Sequence, residues 1–118
     1  DYLREEASLL GIDTYFGEHI HGAVDDYKSF SKEIVIRRII EDNKITGDSF
    51  VGFGDGFVDM ESVNAAGGTA VGVASDETGM TGTADEWKRT RLVNACADII
   101  IPDYRDYPAL VSYLWQQE

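Results

Sequence analysis

Short apolar runs alternate with amphipathic stretches along the chain, and the alternation predicts its elements. The opening DYLREEASLLGI puts Leu3, Ala7 and Leu10 at helical spacing and then reaches Gly11, a residue type that often ends helices. The chain therefore opens inside a helix. The segment from Glu18 to Ala23, containing His19-Ile20-His21-Gly22, is read as a brief strand. Ser31 is a good N-cap residue, and the following KEIVIRRIIEDNKI carries Ile34 or Val35, Ile36, Ile39 and Ile40 as an apolar stripe. A helix is expected there.

The run Ser49-Phe50-Val51-Gly52-Phe53, bounded by Gly47-Asp48 and Gly54-Asp55, has the length and composition of a buried parallel strand. Helical spacing returns from Asp59 to Ala66, Gly67-Gly68 stops it, and Thr69 to Ser75 reads as a second buried strand. Asp76 to Thr83 is glycine-rich and is expected to be a loop. A helix from about Ala84 to Ala95, a third apolar strand from Asp98 to Ile101 ending at Pro102, and a last helix from Tyr107 to Gln116 complete the pattern. Such alternation generates right-handed crossovers and a parallel sheet covered by helices on both faces, so the expected class is α/β with a Rossmann-like sheet. No repeat or linker divides residues 1–118, and a single domain is expected.

Composition narrows the range of partners. With 43% hydrophobic residues the chain can build a packed core. Its 22 acidic against 10 basic side chains give a formal net charge of −12, which repels a phosphate backbone and disfavours nucleic-acid binding. An excess of carboxylates suits a hard divalent cation, although most of them serve only as solvated surface. The one cysteine, Cys96, excludes an internal disulfide framework; lying in NACADIII, it is expected to pack among apolar neighbours. Neither a membrane-spanning run nor a signal peptide is visible, and the expected location is cytoplasmic.

In open α/β sheets ligands bind beyond the carboxyl ends of the strands. The turn leaving the best strand is Phe53-Gly54-Asp55-Gly56-Phe57-Val58-Asp59, with two carboxylates four residues apart and glycines on both sides of the first. Gly54 and Gly56 allow a sharp turn and a close approach to a ligand, leaving Asp55 at the strand tip. Other motifs fail on spacing. Phe57 stands where a dinucleotide fingerprint needs its third glycine, this loop contains no lysine followed by Ser or Thr and so is not a P-loop, and the ligand spacing of an EF-hand is missing. Mg²⁺, which takes one or two protein carboxylates and keeps water for the rest, suits Asp55 with Asp59. The plainer alternative is that Asp59 caps the next helix and Asp55 belongs to a turn.

The run from Val51 to Glu61, followed by Asn64-Ala65-Ala66-Gly67-Gly68-Thr69-Ala70-Val71-Gly72-Val73, resembles the fourth motif of haloacid dehalogenase-like (HAD) hydrolases. That motif is an apolar strand, Gly-Asp, three residues, Asp, a helix ending at Ala-Gly, and a strand ending in Gly-Val. The resemblance implies a HAD-like core, incomplete at its N-terminus, with Asp55 and Asp59 at a Mg²⁺ site. It also implies a lysine at the start of the preceding helix, where Lys32 stands and Lys28 is the alternative. Lys32 would balance charge between an aspartyl nucleophile and the phosphate of a small phosphorylated metabolite. The family route is phosphoryl transfer through an aspartyl-phosphate.

Two family motifs cannot be placed: no Asp-x-Asp follows an apolar strand, and no second-motif Ser or Thr is identifiable. The opening helix resembles the one just after the second motif, and the chain begins without Met, so a chain cut from a longer enzyme is expected. By itself it should have little or no turnover. The missing nucleophile strand would lie beside Ser49 to Phe53, leaving an apolar edge that favours self-association or pairing with the absent N-terminal part. A noncatalytic interaction module using that edge is the second reading, and an acidic phosphoacceptor receiver domain the third. His19 and His21 lack a nearby third ligand, and Trp87 and Trp115 are expected to pack their helices. The interval from His21 to Lys32 is too short for a large cap, and no residue specifies the substrate.

Overall fold

The computed structural model describes residues 2–21 and 32–115. In chain order its regular elements are α1 (Tyr2–Leu9), α2 (Lys32–Asp42), β1 (Val51–Gly54), α3 (Phe57–Ala65), β2 (Thr69–Val73), α4 (Glu86–Asn94), β3 (Ile99–Ile101) and α5 (Tyr107–Trp115). The strands form one parallel sheet in the order β1-β2-β3, with Gly54 opposite Gly72 and Gly72 opposite Ile100. The class is α/β, as the alternation of apolar and amphipathic segments predicts.

Side-chain alternation divides the sheet into two faces. Gly52 and Gly54 of β1 turn toward α3. A Cβ at Gly52 would lie 2.3 Å from a Val63 methyl, and one at Gly54 would lie 2.3 Å from the Asp59 Cβ. Only a residue without a side chain lets α3 approach β1 so closely. On this face Met60 and Val63 of α3 meet Ala70, Ala74, Leu92 and Ala95 in the buried core, with Ile36 of α2 and Ile100 of β3 packed at its margin. Ile99 and Ile101 point the other way, where they line a cavity with Leu110 and Tyr113 of α5. Helices thus flank the sheet on both sides, but α5 buries none of its residues fully.

Several boundaries move inward. The first strand starts at Val51 because Gly47–Ser49 form a 3₁₀ turn, and the second ends at Val73, where Ala74 already bonds to the loop before α4. The expected strand around His19-Ile20-His21 is absent among the described residues: this segment follows a turn and has no strand beside it. Three alternating residues cannot hold an extended conformation without a ladder partner.

Cys96 is exposed rather than packed, at φ +66° just past α4. The helix reverses there in a left-handed step that turns its side chain outward, while Ala95 on the preceding position is buried. Trp87 and Trp115 are also exposed, at 68% and 72%, instead of packing their helices. The Trp87 ring lies under the Arg91 guanidinium, 5.0 Å from its centroid, on the outer surface of α4. No helix among the described residues is long and apolar enough to cross a membrane.

Candidate functional site

Helices that connect parallel strands run back against them, so helix N-termini gather where the strands end. Lys32 is the first residue of α2, and Asp59 lies in the first turn of α3. Both therefore sit at the carboxyl end of β1, next to Asp55, which follows its last residue.

Asp59 is held from two sides. The Gly56 N–H donates to its Oδ2 at 3.2 Å, closing half of a capping box, and the Lys32 ammonium donates to its Oδ1 as an ion pair. Its side chain is only 17% exposed, against 51% for Lys32. The capping role and the charged pairing are thus both present in one carboxylate. Lys32 has no local reason to stand at a helix start, where the partial positive charge of the N-terminus disfavours a cation. Its electrostatic partner is the distant Asp59.

Asp55 differs. It is exposed and accepts no hydrogen bond from the described residues. Of the two carboxylates in the turn, Asp55 is the one free to face an external cation. The Asp55 carboxylate offers hard oxygen donors, as Mg²⁺ requires, and a single free carboxylate fits an ion that keeps several waters, whereas both Asp59 oxygens already accept from Gly56 and Lys32. No group of three or more His, Cys, Asp or Glu among the described residues is arranged to hold a metal. This includes His19 and His21, whose ring centroids are 6.4 Å apart. Lys28 lies outside the described residues.

A cavity of about 260 Å³ opens between α2, α3 and β1, lined among others by Lys32, Asp59, Phe53 and His21. A larger cavity, between α5 and β3, lies over the other face of the sheet and contains none of these charged groups.

Tyr104 is a neighbour that sequence reasoning missed. It follows β3, and its ring meets Phe53 with centroids 5.9 Å apart. Burial, and then the charge of Asp55, push its phenol above the usual pKa. The available signal was topological, since residues following parallel strands share one end of the sheet. The loop after β2 is ordered at the same end: Asp76 accepts from the Gly79 N–H and the Thr81 hydroxyl, each at 2.9 Å. Chiefly through the Gly79 bond and then the Thr81 bond, its carboxyl is held below the ordinary pKa. Lys88 donates to the Ser75 carbonyl at 3.0 Å and ties α4 to the start of this loop.

No protein-family model, curated protein or solved structure matches the chain.

Proposed function

We propose that the chain is part of a magnesium-dependent, HAD-like phosphatase acting on a small phosphorylated metabolite, with a Rossmann-like core. The observation that carries the reading is the Lys32–Asp59 ion pair beside an exposed Asp55 that accepts no hydrogen bond among the described residues, at the end of the sheet where α/β proteins bind ligands. Asp55 would hold Mg²⁺, directly or through water, and Asp59 would position Asp55 or a water of the ion. When bound, the ion supplies positive charge that lowers the cost of bringing an anionic nucleophile to a phosphate. Lys32 contributes in the same sense from the cavity wall, and Asp59 keeps its ammonium at the carboxyl end.

The chain contains no Asp-x-Asp, so the covalent step needs a nucleophile that it does not carry. Release of inorganic phosphate from phosphate esters in Mg²⁺ is the test. The chain alone should show no turnover above buffer, whereas a longer polypeptide joining it to an Asp-x-Asp strand should hydrolyse them. Metal-dependent turnover by the chain alone, free of contaminating phosphatase, would overturn the assignment of roles. A reducing, cytoplasmic setting goes with this reading, since a single cysteine forms no internal disulfide.

One observation favours a second reading, a noncatalytic module that self-associates. Among the described residues β1 is an edge strand, paired only with β2. An open strand edge is a template for another chain. Sedimentation over a range of protein concentrations separates the cases: growth in mass with concentration supports association, and a monomer throughout excludes it.

A further inference from the structure

Phe53 ends the side-chain-bearing part of β1 and Tyr104 follows β3, so they approach the site from two strands with β2 between them. Their rings are tilted by 51° and remain 44% and 53% exposed. A pair whose sole role was to seal the sheet would be buried; these rings present open surface. Phe53 also borders the cavity that contains Lys32 and Asp59, and its ring, on the face opposite Gly52 and Gly54, places the aromatic pair next to the candidate phosphate site.

We propose that Phe53 and Tyr104 are specificity-determining residues, forming an apolar wall beside Asp55 that selects phosphate esters with a planar, apolar organic group. The inference rests on the phosphatase reading and adds the substrate class to it. The other side chains at this end of the sheet reinforce the selection. Asp55 and Asp76 follow β1 and β2, while Asp103 after β3 is paired with Arg105, so an ester bearing further carboxylates meets the charge of the first two, whereas an aromatic ring meets aromatic surface.

The experiment measures binding by the intact chain with Mg²⁺, using ligand-observed NMR with phenyl phosphate and glycerol 1-phosphate as probes. Phenyl phosphate should bind about two- to tenfold more tightly, the range expected of one aromatic contact. Tyr104→Phe should keep that preference, while Tyr104→Ala and the milder Phe53→Leu should each reduce it without removing Mg²⁺-dependent binding of glycerol 1-phosphate. Equal binding of the two probes, lost in Asp55→Asn, would overturn the aromatic selection while leaving the metal–phosphate site standing. A phenyl preference unchanged in Tyr104→Ala and Phe53→Leu would also overturn it. Failure of both probes to bind in Mg²⁺ would overturn the phosphate reading itself, and the selection with it.

Discussion

Lys32 and Asp59 stand 27 positions apart in the chain and form an ion pair at the mouth of the cavity between α2, α3 and β1. A pair whose ammonium is half-exposed to solvent contributes only about 0–1 kcal/mol to stability. Lys32→Met should therefore lower unfolding free energy in urea by no more than about 1 kcal/mol. Asp59→Ala should cost more, about 1–2 kcal/mol, because the Gly56 N–H and the start of α3 lose their acceptor as well. An equal loss in both variants would mean that the ion pair, rather than the cap, dominates the stability of this turn.

The contact of α3 with β1 depends on the absence of side chains at Gly52 and Gly54. Gly52→Ala should destabilise the fold by about 1–3 kcal/mol through overpacking against Val63. Gly54→Ala should cost a similar amount and also displace the Asp59 carboxylate, which a shift of the Gly56 amide resonance would report. Unchanged stability in both variants would show that α3 does not press on β1 as described.

Cys96 occupies a left-handed position that costs an L-residue roughly 1 kcal/mol. Cys96→Gly should stabilise the chain by about 0.5–1 kcal/mol once the greater freedom of glycine in the unfolded state is set against that strain. Urea melts of the two proteins under reducing conditions provide the comparison. A loss of stability would indicate that the thiol makes a contact worth more than the strain.

The loop after β2 should respond to acid. Asp76 has a folded-state pKa below its ordinary value, so its ionised form favours the ordered loop above the unfolded-state pKa, and that contribution disappears as pH falls through the folded value. Hydrogen exchange at the Gly79 amide should accelerate, relative to amides elsewhere at the same pH, on passing down through that window. Asp76→Asn should remove the pH-dependent part of this difference. An identical profile in the variant would assign the change to another group.

Much of this architecture is legible in the sequence because burial on both sides of a parallel strand leaves a simple mark. TAVGV and III have almost no polar positions, and glycines delimit the first two strands. The positions that misled are those where geometry overrides composition. Cys96 has apolar neighbours on both sides, yet the helix reversal turns it outward. His19-Ile20-His21 alternates like a strand but has no strand partner among the described residues. Trp87 has the size of a core residue but lies on the solvent face of α4, covered in part by Arg91. Within the site, Asp55 and Asp59 stand out through their spacing around two glycines. The involvement of Lys32 came from the family resemblance, and the topology brings it to Asp59. Tyr104 carries no local motif, and its approach to Phe53 becomes visible only when β3 is set two strands away from β1.

The central claim is that Asp55 is the residue that meets a divalent cation. The most direct test is a titration of the isotopically labelled chain with MgCl₂, following the backbone amides of Gly54, Asp55 and Gly56 by two-dimensional NMR. The account predicts saturable shifts confined to this turn and the start of α3 at millimolar Mg²⁺, about the weak affinity expected of so few protein ligands. It further predicts that those shifts vanish in Asp55→Asn. Shifts of the same size and midpoint in Asp55→Asn, or none at this turn in the native chain, would contradict it.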